Sequence, residues 1–286
     1  MLSIGEICLA WPKNILMVSP NHFRIDYAIN PYMTGTDGKL NCVDTATANQ
    51  QWHALKETFE RVGLHVTVLP GQPDFPDMVF CANQTLPFAD GSGQKHLVIS
   101  RMRSNQREGE TAFFSQWAAE NGWHTHQVTD YSFEGCGDAI WNYERGELWG
   151  GYGFRSGPEV YDWLADKVQA PIFKLQLQDE HFYHLDTCFL ILGADKVAYV
   201  PEAFHEDSRR LIESKFQLRI AISKDEAKNN FAGNAFCIDG RHVVLQSGST
   251  RFCDQLRKNG FVPVEVETRE FMKSGGSVFC LKQVLL

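Results

Sequence analysis

One pattern constrains this chain more than any other. An apolar strand, an amphipathic helix, a short strand and a polar motif that runs into another apolar strand recur five times in 286 residues. Helical spacing marks 47–62, 109–121, 158–168, 206–216 and 250–259. Trp52, Leu55, Phe59 and Val62 share one face of the first, and Phe114, Trp117 and Ala118 one face of the second. Gly63, Gly122 and Gly260 stand where a helix C-terminus favours glycine. Short strands then begin at His65, His124, Ile172, Arg219 and Val262, 43 to 59 residues apart. The strands before the helices read ILMVSP, HLVISR, ELWGGYGF, KVAYVP and HVVLQS. The polar motifs that enter further strands read DMVFCANQTLPF, EGCGDAIWN, HLDTCFLIL, GNAFCIDG and GGSVFCLKQVLL.

Such a repeat predicts five ββαβ units, each helix covering its own small mixed sheet. The first unit lacks a motif strand at its N-terminal side and the C-terminus has one to spare. Pairing the C-terminal strand with ILMVSP closes a ring and removes the open edge. The expectation is an α/β fold, a five-bladed α/β propeller, with 1–286 as one catalytic domain. A doubly wound sheet fits less well, because three strands rather than two flank each helix.

A ring brings the five motifs to one axis, and with them Asp77, Asn83, Glu134, Asp138, His184, Asp186, Asn234 and Cys280. A cysteine, a histidine and carboxylates together point to covalent catalysis by an activated thiolate. Cys280 follows the glycine-rich KSGGS loop, where backbone and ligand can approach closely. A free thiol ionises near pH 8.5 and needs a positive field to react at neutral pH, which a cationic substrate supplies. His184 suits proton transfer to a leaving nitrogen and then from water. His181, three residues earlier, competes for that role. Glu134 and Asp138 bracket the FEGCGD turn, where carboxylates can orient an imidazole or accept paired bonds from a planar cation. Asn83 is neutral and suits a urea-like intermediate. Arg101 and Arg155 end equivalent strands and could clamp a carboxylate. The turn-rich segment 35–41 is a candidate flap.

Composition narrows the partners. A net charge of −8 offers no basic surface to nucleic acid or anionic lipid. No apolar run reaches membrane-span length. The first residues, MLSIGEICLA, lack the basic leader of an export signal, so the eight cysteines are expected to be reduced in a cytoplasm. No C-x-x-C pair or metal-ligand helix appears, and GGYGFRSG lacks phosphate-loop spacing, so neither metal nor organic cofactor is expected. Helices on the rim leave homo-oligomerisation open.

The motifs YAINPYM, DMVFCAN, FEGCGDA, GYGFRS, FYHLDTCF and GGSVFCL, in this order over about 17–283, resemble the guanidino-group-modifying enzymes of the pentein superfamily. They are most similar to cyanobacterial-type arginine dihydrolase domains, and more distantly to dimethylarginine dimethylaminohydrolase, arginine deiminase and amidinotransferases. The resemblance implies a five-bladed fold and an arginine-like guanidino substrate. It implies Cys280 as nucleophile, His184 as general acid/base and Glu134 as its partner. It implies Asp77 and Asn83 at the guanidinium end, Arg101 and Arg155 at the substrate carboxylate, and Asn30 as a pocket asparagine; Asp186 is also kept. Asparagine at 83, where deiminase relatives carry aspartate, resembles the dihydrolases, which take arginine to ornithine, carbon dioxide and two ammonia. Citrulline as end product and amidino transfer to an amine remain alternatives, as does a non-catalytic guanidino binder, which would not need both Cys280 and His184. Cys136 departs from the small residue usual in this motif. The second domain of some cyanobacterial dihydrolases has no counterpart here, so its activity is not expected.

Overall fold

The computed structural model describes residues 11–286. The export-signal expectation and Cys8 lie outside the described residues. Strand β1 (Asn14–Val18) leads through helix α1 (Thr45–Arg61) to β2 (His65–Leu69), which pairs parallel to it. The second unit opens with β3 (Thr85–Ala89), turns into antiparallel β4 (Lys95–Ile99), and crosses through α2 (Thr111–Glu120) to parallel β5 (His124–Gln127). The plan repeats in β6 (Ala139–Asn142), β7 (Glu147–Tyr152), α3 (Val160–Val168) and β8 (Ile172–Gln176). It repeats again in β9 (Phe189–Gly193), β10 (Lys196–Tyr199), α4 (Glu206–Lys215) and β11 (Leu218–Ala221). Last come β12 (Phe236–Cys237), β13 (His242–Gln246), α5 (Thr250–Lys258) and β14 (Val262–Val266). Strand β15 (Gln283–Leu285) then pairs antiparallel with β1, joining the two ends of the described chain.

The result is five three-stranded sheets of identical order, as the repeat predicts. Their burial is graded. All five residues of β9 are buried, whereas β2 and β5 are largely exposed. The helices keep their predicted registers: α1 buries Ala48, Trp52, Leu55 and Phe59, and the Asp44 side chain caps its N-terminus by accepting from the Thr47 amide. Gly63, Gly122 and Gly260 all have positive φ, the left-handed conformation that ends a helix without a Cβ clash. No helix among the described residues is long and apolar enough to cross a membrane.

Each polar motif stands just before the first strand of a sheet, and each is tied to the next around the ring. Asp138 Oδ1 accepts from the Leu185 amide (3.1 Å), and Asn234 Nδ2 donates to the Asp186 carbonyl (3.0 Å). Asn234 Oδ1 accepts from the amides of Ser277 (3.0 Å) and Cys280 (3.3 Å). The Cys280 carbonyl accepts from the Ala82 amide (3.2 Å). Gly135 closes the circle: with φ of 51°, it lies so near the backbone carbonyls of Ala82, Asn83 and Thr85 that a Cβ would sit 2.5–2.8 Å from them.

Candidate active site

Three of these motifs, those of Asp77 and Asn83, of His184 and of Cys280, line one small chamber, and the other two stand behind its wall. Its wall includes Asn30, Asp77, Asn83, Arg107, Arg155, Tyr183, His184, Ser274 and Cys280, around a cavity of about 10 Å³. That is space for about one water molecule. Ile29, Asn30, Arg155 and Tyr183 also line an outer cavity of about 570 Å³ that contains Arg103 and Phe154, so they form the partition between the two. The partition is well bonded. Arg155 Nη2 donates to the Ile29 carbonyl (2.8 Å), its guanidinium lies over the Tyr183 ring (4.8 Å), and Tyr183 Oη donates to the Gly275 carbonyl (2.5 Å). Asn30 Nδ2 donates to the Ser274 carbonyl (3.0 Å) while its Oδ1 accepts from the Tyr32 amide.

Cys280 is buried, and its Sγ lies between Asp186 Oδ2 (3.1 Å) and Asn234 Nδ2 (3.2 Å). Burial pushes the thiol well up, and the neighbouring Asp186 carboxylate adds to the shift. Burial likewise lifts Asp186 to about 7 and Asp138 to about 6. The sulfur is therefore a thiol that donates to Asp186.

His184 Nε2 lies 2.6 Å from Glu134 Oε2, and Asn83 Nδ2 lies 3.5 Å from His184 Nδ1. Because Glu134 can only accept, Nε2 carries the proton and Nδ1 is left as the basic nitrogen. Burial alone would raise Glu134, but Arg155 (3.1 Å) and His184 outweigh it and hold the carboxyl well below the usual range. The Arg103 amide adds a third donor at 3.1 Å. Gly137 makes the Asn83–His184 approach feasible: a Cβ there would lie 2.2 Å from Asn83 Nδ2 and 3.4 Å from His184 Cγ. Asp77 is buried and raised by desolvation; Ser274 Oγ donates to its Oδ1 (3.1 Å), and the Tyr27 hydroxyl beside the carboxylate offsets part of that rise. Such a wall suits a planar cation with several N–H donors.

Not every residue singled out from the sequence reaches the chamber. Asp138 and Asp186 are buried behind its wall, where Asp138 receives Ser156 and Leu185 and Asp186 receives the thiol. Arg101 is exposed and lines neither cavity. Its neighbours Ser100 and Met102 are buried, and Arg103, exposed like Arg101 but two residues further along the chain, lines the outer cavity. His181 is bound to Asp179 (3.0 Å) beside a separate surface hollow, away from Glu134. The segment over the chamber is Ile29–Met33, not 35–41, which is pinned by a Thr34–Leu40 bridge. Cys136 is buried beside Gln283 and does not line the chamber. Among the described residues no group of histidines, cysteines and carboxylates could hold a metal ion.

Two charged residues were not anticipated. Arg107 is buried against Glu110 (2.8 Å) and reaches Asn83; an i,i+3 pair in a polar stretch outside the repeat gives little sequence signal. Lys282 is fully buried between the Phe236 and Phe279 rings. Its place in the apolar run FCLKQVLL was the visible clue.

No protein-family model matches the chain. It is 36% identical over 270 residues to the bifunctional arginine dihydrolase/ornithine cyclodeaminase ArgZ of Synechocystis sp., covering 93% of this chain and 37% of that protein. The chain thus spans little more than a third of that relative, and likewise 37% of AgrE of Nostoc sp., also 36% identical. It is 34% identical over 268 residues to the N(G),N(G)-dimethylarginine dimethylaminohydrolase of Mycobacterium tuberculosis, covering 94% of this chain and 84% of that one. Among solved structures, the N-terminal domain of ArgZ covalently bound to a reaction intermediate superposes with a TM-score of 0.89 at 34% identity, covering 96% of this chain and 97% of that chain. A dimethylarginine dimethylaminohydrolase at 20% identity shares the fold, with a TM-score of 0.79. The five-unit ring and these relatives together place the chain in the pentein superfamily of guanidino-group-modifying enzymes, with the arginine dihydrolase domains and dimethylarginine dimethylaminohydrolase.

Proposed function

We propose that this chain is a hydrolase of guanidinium C–N bonds that converts arginine to ornithine, carbon dioxide and two ammonia, in the manner of an arginine dihydrolase. The observation that carries the reading is the convergence of Cys280, His184 and the neutral Asn83 on one chamber, with Glu134 bonded to His184 behind its wall. A guanidinium cation beside Cys280 supplies the positive field that favours its thiolate. The thiolate then adds to the guanidinium carbon as the thiol proton passes to His184. His184 returns the proton to a nitrogen, ammonia departs, and a thiouronium remains on Cys280. Water, deprotonated by His184, adds to that carbon, and collapse frees the thiol and leaves a ureido group. A second round on the ureido carbon expels the second ammonia, and hydrolysis of the S-carbamoyl group gives a carbamate that splits into ornithine and carbon dioxide. Glu134 keeps the imidazole oriented through its bond to Nε2. Covalent catalysis divides one difficult displacement into two easier ones.

Mass spectrometry of products from arginine, dimethylarginine and agmatine, each incubated separately with the protein, tests the reading. Ornithine and two ammonia per arginine are expected, and none from Cys280→Ser. Undiminished ammonia release by that variant would refute the mechanism. The Mycobacterium relative supports a second reading, hydrolysis of methylated arginine, for which citrulline and a methylamine from dimethylarginine would be the mark.

A further inference from the structure

We infer that Arg107, held by Glu110, is a positioning residue that fixes the Asn83 amide as a hydrogen-bond donor toward the chamber, and thereby permits the second hydrolytic step. The inference rests on the dihydrolase reading and deepens it.

Asn83 is buried, and either end of its amide could in principle face the chamber. Arg107 decides between them. Its Nη1 donates to Asn83 Oδ1 at 2.9 Å. The reversed amide would set Nδ2 against Nη1, two donors facing each other with no acceptor between. Nδ2 is thereby directed to the His184 side. The guanidinium cannot swing away. Its Nε donates to Glu110 Oε1 (3.0 Å), and its Nη2 donates to Glu110 Oε2 (2.8 Å) and to the carbonyls of Asp77 (3.1 Å) and Phe80 (3.2 Å). Glu110 is anchored from the other side by Gln84 Nε2 (2.5 Å). A planar fork bonded along three edges is far stiffer than a lysine would be there.

The two chemical steps ask opposite things of the chamber. The first takes a cation, which Asp77 and Glu134 favour. The second takes a neutral ureido group. When the Cys280 sulfur bonds to its carbon, the carbonyl π pair moves to oxygen and an oxyanion develops. The thiol proton passes to His184 and leaves with the nitrogen as ammonia, and the oxyanion pair re-forms the C=O of an S-carbamoyl group. A fixed donor near that oxygen lowers the barrier of this step and not that of the first, in which no oxyanion forms. An amide free to turn would present its oxygen half the time and repel the same charge.

The test is the initial-rate ratio of ornithine to citrulline formed from arginine by the full chain. The ratio counts only molecules that turn over, so it does not follow the folded fraction. Arg107→Met with Glu110→Gln removes both charges together and leaves no unpaired ion in the core. Loss of one fixed oxyanion donor costs about a hundredfold or more in well-studied cases, so partial loss of orientation predicts a fall in the ratio of about tenfold or more. Should that variant fail to fold, Glu110→Gln alone loosens Arg107 and is expected to lower the ratio several-fold. A wild-type ratio in whichever of these variants turns over overturns the inference while the dihydrolase reading stands. Citrulline as the only product of the wild-type chain overturns both.

Discussion

The sharpest test of how this fold balances its buried charge is Lys282→Met. The ammonium is fully buried, makes no hydrogen bond among the described residues, and rests 3.1 Å from the centre of the Phe279 ring and 4.5 Å from that of Phe236. The rings attract it, but not enough to replace water: burial lowers the amine from 10.5 to about 8. Each tenfold change in proton affinity is worth about 1.4 kcal/mol, so retaining the charge at neutral pH costs the folded state about 3 kcal/mol. Methionine has similar length and volume and carries no charge. At pH 7 the variant should be more stable by about 3 kcal/mol, a rise in Tm of roughly 6–12 °C for a chain of this size. The pH dependence follows from the lowered value. Below about 8 both folded and unfolded chains hold the proton and the full cost is felt. Between about 8 and 10.5 the folded chain releases its proton first, so wild-type stability gains on the variant as pH rises, and above 10.5 the gap is gone. Urea unfolding of both proteins at pH 7 and at pH 10 measures the gap. A variant less stable than wild type at pH 7, or a gap of equal size at both pH values, would refute the reasoning.

Other substitutions probe the chamber. Glu134→Gln removes the acceptor shared by His184, Arg155 and the Arg103 amide. It should cost about 3–5 kcal/mol at pH 7 by leaving Arg155 buried without its partner. Because Glu134 sits below the ordinary carboxylate range, its stabilisation is present at neutral pH and lost as pH falls below that range; denaturation midpoints of variant and wild type should therefore converge in acid. Gly137→Ala drives a Cβ to within 2.2 Å of Asn83 Nδ2 and should lower kcat on arginine about a hundredfold while far-ultraviolet circular dichroism stays near wild type. Since burial and the neighbouring Asp186 hold Cys280 as a thiol, iodoacetamide should label it slowly at pH 7, and a cationic haloacetamidine much faster, as mass spectrometry of the modified peptide would report.

Much of this fold was legible because the repeat is written in properties that local sequence controls. The helix faces of Trp52 and Phe59, the capping glycines 63, 122 and 260, and the start of each outer strand all depend on neighbours a few residues away. Ring closure was legible for a different reason, a spare strand at one end and a missing one at the other. The Cys280, His184 and Glu134 positions followed from equivalence between units. What escaped was whatever broke that equivalence. Arg101 and Arg155 occupy matching strand ends, yet the first is exposed away from both cavities and Arg103, two residues on, stands at the outer one instead. Arg107 belongs to a helical turn, Asn105–Glu108, that has no counterpart in the repeat as read from sequence. The contact between Ile29–Met33 and the chamber depends on Tyr183 and Ser274, more than 140 residues away in sequence.

The ring also accounts for how so polar an axis can be buried. Asp138 is satisfied by Ser156 and by the amide of Leu185 in the next motif, and Asn234 by the amides of Ser277 and Cys280, again in the motif that follows its own. Groups that position the chemistry are thus also the groups that join one unit to another. Exchanging them for apolar residues would strand the backbone amides they serve, each at a cost comparable to a lost hydrogen bond. The chamber consequently inherits a surplus of acceptors, seen in the buried carboxyl of Asp77 and in the strongly ionised Glu134 behind its wall. Acceptors alone favour a cation and would expel the neutral group that its first hydrolysis leaves. The second hydrolysis proposed above needs a donor in the same chamber whose orientation the ring motifs alone do not fix. Arg107 lies outside those motifs, and its guanidinium is what turns one neutral side chain, Asn83, into that donor.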